Sequence, residues 1–152
     1  MKIRRIGLAE ILAAAGGLVF VLSLFVKWYE ARPQNPNANI NGMKGVVTAW
    51  DAHEILRYVW LAAALAPIFL LYIILRDHEL SWPRGELTAV IGIAAFGLVV
   101  YQGIIDRPGE PPSEIELEFG WYIGVLGTLL IATGGAIRAS GTERPRKPPG
   151  VL

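Results

Sequence analysis

Four long apolar stretches, separated by charged segments, constrain the fold of this chain more than any other feature. With their flanking turns they predict membrane spans at about residues 6–26, 50–75, 86–105 and 120–138. Each is close to the length of about 20 residues that crosses a hydrocarbon core about 30 Å thick. A chain of 152 residues has the size of one domain, and its 53% hydrophobic content is too high for an ordinary soluble one. The sequence therefore predicts an all-α membrane protein, a bundle of four transmembrane helices.

The positions of lysine and arginine predict the direction of these spans. Nine of the fourteen lie before the first span, in the second connection or after the fourth span, and five lie in the first and third connections or at the start of the second span. The nine are Lys2, Arg4, Arg5, Arg76, Arg84, Arg138, Arg144, Arg146 and Lys147, and the five are Lys27, Arg32, Lys44, Arg57 and Arg107. Cytoplasmic loops are rich in these residues, so both termini are predicted to lie in the cytoplasm, with the protein multi-pass in the cell membrane.

Both ends of the chain carry further predictions. The basic start MKIRR precedes a long apolar run with no small-x-small cleavage pattern after it, which favours an uncleaved membrane anchor over a signal peptide. Residues 139–152 are basic and rich in proline, which predicts a flexible cytoplasmic tail near anionic headgroups. A docking motif for a cytoplasmic partner is the alternative interpretation of this tail.

The outer connections predict a small extracytoplasmic β element. In the sequence EIELEF, residues 114–119, glutamates alternate strictly with Ile115, Leu117 and Phe119, which is typical of a half-buried strand. We expect this segment to pair with segments 28–30 and 43–47 in an antiparallel sheet over the outer helix ends. An N-terminal extension of the fourth helix is the alternative for residues 114–119.

Small residues predict where the fourth span packs. Gly120 and Gly124 form a GxxxG pair, and Gly127 and Thr128 extend the small-residue surface. Because apolar surface gives little drive for association within lipid, close approach at such residues holds helices together. The contact is predicted within one chain or, alternatively, between copies. The tryptophan and tyrosine residues near the span ends are interpreted as aromatic belts at the two membrane interfaces.

The start of the second span, TAWDAHEILRYVW, holds the candidate polar cluster Asp51, His53, Glu54 and Arg57. On one continuous helix Asp51 and Glu54 would share a face, and His53 and Arg57 a neighbouring face. Such a group could relay protons, bind a metal or clamp a substrate. Ordinary helix-end chemistry is the competing interpretation, because Thr48 is placed to cap the helix and acids are favoured in its first turns.

Other signs of chemistry are few. The chain has no cysteine, and the common zinc, phosphate-loop, nucleophile-elbow and dinucleotide motifs are absent from its sequence. We therefore predict no catalytic residue, no metal site and no cofactor. Glu10 and Gln102 are the intramembrane polar candidates, and the basic residues near Glu10 could neutralise it. The predicted partners are the lipid bilayer and further copies or other membrane subunits, with no nucleic acid.

The layout resembles the claudin-type tetraspan arrangement. Trp28 and Trp50 lie near the two ends of the longer first outer connection, and the second outer connection is short. In the claudin superfamily the outer loops form a β-sheet, but the two cysteines and the glycine-leucine-tryptophan motif of its loop are missing here. The segments Lys27-Trp28-Tyr29 and Trp50-Asp51-Ala52 are also similar to small four-span proteins of actinobacteria. Both resemblances imply architecture and carry no activity.

Three functional hypotheses follow from these patterns. The first is a non-enzymatic tetraspan with a structural, accessory-subunit or self-assembly role. The second is an oligomeric small channel or transporter subunit, which needs several copies because four short spans offer little polar lining. The third is a membrane enzyme that uses the region of Asp51 and His53.

Overall fold

The computed structural model describes residues 6–76 and 84–141. The predictions for the N-terminal basic residues and for the tail from residue 142 onward lie outside the described residues. Within the described ranges the chain is mostly helical, with a small sheet at one end. The α-helices are α1 (Leu8–Ser23), α2 (Ala49–Ala52), α3 (Leu56–Leu75), α4 (Arg84–Val100) and α5 (Phe119–Ser140), and the strands are β1 (Lys27–Ala31), β2 (Val46–Thr48) and β3 (Ile115–Leu117).

Three helices are long and apolar enough to cross a membrane, which indicates a membrane protein. They are Leu56–Leu75, Gly85–Ile105 and Phe119–Ser140, of 20, 21 and 22 residues. The apolar helix α1 has 16 residues, and at 1.5 Å per residue it extends about 24 Å, less than a typical hydrocarbon core of about 30 Å. Pro67 lies inside α3 without ending it.

The helices form a ring that is closed only weakly between α3 and α4. Helix α5 packs closely against both α1 and α4, and α1 packs on its other side against α3. Helices α3 and α4 make few contacts with each other. The order around the ring is therefore α3, α1, α5, α4. A gap remains between α3 and α4, which contact each other only weakly.

The predicted three-stranded sheet is present, and it is antiparallel with the order β2-β1-β3. Tyr29 in the central strand lies opposite Val47 on one side and Leu117 on the other. The edge strand β3 ends at Leu117 and Phe119 already belongs to α5, so the alternating segment is part strand and part helix start. The long loop after β1 is tied to the second connection by backbone hydrogen bonds between Asn39 and Glu110 of 3.1 and 2.9 Å. We call the unit formed by residues 24–55 and 106–118 the cap.

Helix α4 ends in a wider turn whose cause is visible in its packing. Residues Tyr101–Ile105 form a π-helical turn. The indole Nε1 of Trp121 donates to the Val99 carbonyl at 2.9 Å, and the same indole lies against Gly103, where a Cβ would clash with it. The Trp121 indole thus donates a hydrogen bond to the Val99 carbonyl at the point where the helix widens, so this carbonyl is not left without a partner.

Candidate functional site

The predicted polar cluster lies where the second span begins, but one helix does not carry it. Helix α2 ends at Ala52, and α3 begins at Leu56. The sequence argument that placed Asp51 and Glu54 on one face of a continuous helix is therefore wrong. The predicted cap is correct: Thr48 Oγ1 accepts from the Asp51 backbone N–H at 3.2 Å and donates to Asp51 Oδ2 at 3.0 Å. Asp51 and Glu54 are both exposed.

His53 is separated from the acids and points into the cap. It follows the last residue of α2 with extended backbone angles, and only 7% of its surface is exposed. Its Nε2 lies 2.9 Å from the hydroxyl of Tyr29, a buried hydrogen bond between the break after α2 and strand β1. Burial lowers the pKa of His53 to about 4, because removal from water disfavours the charged imidazolium. Burial also raises the pKa of Tyr29 above its usual value, opposed by the positive charge of Arg107. Both groups are therefore neutral at neutral pH.

An aromatic cluster surrounds this hydrogen bond. Trp28, Tyr29 and Trp60 are fully buried. The ring centroids of His53 and Trp60 are 4.9 Å apart, and those of Trp28 and Trp60 are 5.2 Å apart. The interpretation of these three aromatic residues as members of interfacial belts is wrong, since rings at the headgroup level would be partly exposed. Tyr58 and Tyr122 do have mostly exposed side chains, as that interpretation requires.

A bulge in β1 explains how two consecutive residues enter the same core. The register between β1 and β2 shifts between Lys27 and Tyr29, so Trp28 and Tyr29 are both buried. A regular strand would send neighbours to opposite faces. Trp28 Nε1 donates to the Ser23 carbonyl at 2.7 Å, which binds the strand to the end of α1. The sequence did not predict this cluster, because the alternating pattern by which strands are recognised does not reveal a bulge.

Arg57 is held by its aromatic neighbours. Its guanidinium carbon lies 5.3 Å from the Trp50 ring centroid and 5.0 Å from that of Tyr58, and Nη1 donates to the Trp50 carbonyl at 3.3 Å. Such cation–π contacts hold the guanidinium against the two aromatic rings. The structure gives His53 and Arg57 different side-chain partners, so the two do not form a joint site.

The outer surface of the cap carries paired charges. Lys27 Nζ lies 3.2 Å from Glu118 Oε2, and Arg32 Nε lies 2.8 Å from Glu116 Oε1. A hydrogen bond to the Glu118 carboxyl group raises the pKa of Glu30. The face formed by β1 and β3 therefore carries two ion pairs together with a pair of neighbouring acids, Glu30 and Glu118.

Arg107, which the sequence did not single out as a site residue, fixes the second connection to the helices. Its Nε donates to the Gly103 carbonyl at 2.6 Å and its Nη1 to the Ile115 carbonyl at 2.8 Å. One side chain thus joins the π-helical turn to β3. Gln102 lies half-buried in that same turn. No sequence motif marks Arg107, because its partners are backbone carbonyls.

Glu10 has a partner at the other end of the bundle. Its Oε2 accepts from the Gly7 backbone N–H at 2.9 Å, and its Oε1 lies 2.7 Å from Arg138 Nη1. Within the described residues Oε1 accepts no well-aligned hydrogen bond, so we regard this contact as a charge pair. A cavity of about 10 Å³, enough for one water, lies beside the pair and is lined partly by Thr88. The pair links α1 to α5.

The predicted packing residues lie where α5 meets its neighbours. Gly120, Gly124, Gly127 and Thr128 are all buried. A Cβ on Gly124 would lie 2.6 Å from the Trp28 ring, and one on Gly127 would lie 2.8 Å from the Phe20 backbone nitrogen. These glycines therefore mark tight contacts within one chain.

An apolar groove opens between α3 and α4, with a volume of about 290 Å³. Its lining is aliphatic apart from Trp60. Among the described residues, no three His, Asp or Glu side chains come close enough together to hold a metal ion. No protein-family model, curated protein sequence or solved structure matches this chain.

Proposed function

We propose that this chain is a non-catalytic four-span membrane protein with a structural, accessory-subunit or self-assembly role. Its cap is the surface presented to other membrane subunits or to further copies. The observation that carries the proposal is the way the cap is built: most of the largest buried side chains lie at the junction of the cap and the helices.

The core of the cap is aromatic and hydrogen-bonded, which favours an ordered cap surface. Trp28, Tyr29, Ile40 and Ile115 are fully buried within or beneath it. Ordering loop residues costs about 1–2 kcal/mol each in backbone entropy, and the burial of large rings offsets that cost during folding. A surface that is already ordered loses less entropy when a partner binds. Such preorganisation supports a role in recognition.

The charges on the cap support the same role. Exposed ion pairs such as the one between Arg32 and Glu116 contribute about 0–1 kcal/mol to folding. Complementary charges across an interface, in contrast, select partners and orient them. Strand β3 is an edge strand of three residues, short enough to limit uncontrolled strand addition. The charged sheet face is therefore suited to contacts between side chains.

The four-span layout is part of this proposal. Helix α1 packs along α5 as a member of the bundle, and tilting of its neighbours or local thinning of the bilayer accommodates its shorter length. The excess of lysine and arginine in the sequence before the first helix, between the second and third spans and after the fourth supports cytoplasmic termini and an outer cap in the cell membrane. The proposed layout resembles the claudin-type arrangement, although the loop cysteines of that superfamily are missing from this sequence.

Photocrosslinking from the cap tests the proposal. A photoreactive amino acid replaces Glu116, and a matched one replaces Leu126 on the exposed surface of α5. In native membranes we expect the Glu116 position to give a defined covalent adduct with a second copy or with one recurrent membrane subunit, identified by mass spectrometry. The Leu126 position should give mainly lipid adducts. A chain that stays monomeric in mild detergent and gives no protein adduct from Glu116 would overturn the proposal.

A further inference from the structure

The groove lies between α3 and α4 because each of these helices packs against a different neighbour. Helix α3 packs against α1 and α4 packs against α5, so α3 and α4 contact each other only loosely. Both walls carry alanines, whose short side chains leave the space between the helices unfilled. The lining includes Val59, Ala62 and Ala63 from α3, and Ala94 and Leu98 from α4.

The groove lies in the half of the bundle nearest the cap. Val59 and Ala63 belong to the first two turns of α3, which begins at Leu56 beside the cap. Leu98 lies two residues before the end of α4, next to the π-helical turn. The space therefore opens sideways toward the lipid leaflet on the cap side.

The contact between α3 and α4 decides between a helix and a narrower occupant. The two helices approach within 8 Å between Cα atoms at some positions, so a further helix about 10–12 Å in diameter would have to separate them to lie between. An extended hydrocarbon chain is narrower and can lie along the groove, whose α4 wall runs from Ile91 to Leu98. Both walls belong to helices long and apolar enough to cross a membrane, so the acyl chains of the bilayer are the apolar molecules that reach this opening.

The lining also suits a hydrocarbon chain. Ala62 and Ala94 are exposed on the two walls, and no charged side chain lines the groove. An unfilled apolar gap would lose dispersion contacts on both walls, whereas a straight chain restores them. We propose that this groove holds one acyl chain of a phospholipid from the leaflet on the cap side. The bound chain completes the contact that α3 and α4 make only in part.

Photoreactive lipid tests this inference. The full-length protein is placed in phosphatidylglycerol nanodiscs in which some lipid carries a diazirine midway along one acyl chain. After irradiation, mass spectrometry maps the labelled residues. We expect labelling of the groove walls to exceed labelling of the exposed residues Leu126 and Leu129 of α5 by about fivefold per residue, equivalent to a preference of about 1 kcal/mol for the site.

Two variants that fill the groove sharpen the test. Ala62→Leu and Ala94→Leu enlarge exposed side chains on opposite walls, so each should fold and should reduce groove labelling to the level of Leu126. Ala136→Leu, an equal enlargement on the exposed surface of α5, should leave groove labelling unchanged. Equal labelling of groove and control residues would overturn the inference. Undiminished groove labelling in both filled variants, or crosslinks from the groove to another polypeptide, would overturn it as well.

Discussion

Replacing Gly127 with alanine should separate the two most closely packed helices of the bundle. Gly127 lies on α5 directly against α1. An added Cβ would lie 2.8 Å from the Phe20 backbone nitrogen and 2.9 Å from its Cα. Phe20 is itself fully buried, so neither the side chain nor the backbone has room to move aside.

The size of the effect follows from these distances. Ordinary contacts of a Cβ begin at 3.4 Å, so α1 and α5 must move apart by roughly 0.6 Å. A gap of about 0.5–1 Å between packed atoms loses about a quarter to a half of their dispersion attraction. Overpacking a tight core costs about 1–3 kcal/mol. Because the obstacle here is backbone rather than a flexible side-chain tip, we expect Gly127→Ala to lower the free energy of unfolding by about 3 kcal/mol.

The assay is reversible unfolding in mixed micelles, followed by tryptophan fluorescence and circular dichroism. Gly97→Ala is the matched control, because nothing lies within 4 Å of the added Cβ at that position of α4. We expect the control to unfold at the same denaturant concentration as the parent or slightly above it. Equal free energies of unfolding for Gly127→Ala and Gly97→Ala would refute the close approach of α1 and α5.

Three further predictions concern the polar residues and the topology. Burial holds the pKa of His53 near 4 in the folded state, against an ordinary value of 6.5. The free energy of unfolding should therefore be insensitive to His53 above pH 6.5, and about 3 kcal/mol of it should be lost as the pH falls toward 4 and the folded protein resists protonation of this imidazole. The difference in unfolding free energy between the parent and His53→Gln, measured from pH 7 to pH 4, should change by that amount, and a constant difference would contradict the burial. Arg138→Met, which leaves Glu10 buried without its charge partner, should lower the melting temperature more than Glu10→Gln does, and the opposite ranking would argue against the charge pair. Because the chain has no cysteine, Ser113→Cys in the cap should react with an impermeant thiol reagent on intact cells and Ser140→Cys only after permeabilisation, whereas the reverse pattern would invert the proposed orientation.

The sequence predicted those parts of the fold that have a regular period. Three apolar runs appear as membrane-length helices, and the alternation around Ile115 appears as strand β3. The Thr48 cap was also predictable, because capping depends on neighbours within four residues.

Features that depend on tertiary contacts were not predictable. The break in the second span at His53 exists because that side chain reaches Tyr29 in β1, a contact 24 residues away that no local pattern contains. The burial of Trp28 depends on a bulge. The partners of Arg107 are backbone carbonyls, which leave no trace in the side-chain sequence.

The central strand of the sheet has a consequence for biogenesis. Strand β1 emerges early from the ribosome, but its partner β3 lies 86 residues later, and α1 likewise waits for α5. During synthesis α1 therefore lacks its main packing partner, and β1 has one unpaired edge. Closure of the cap therefore requires synthesis to pass Leu117, so a nascent chain stalled before β3 keeps β1 with an open edge.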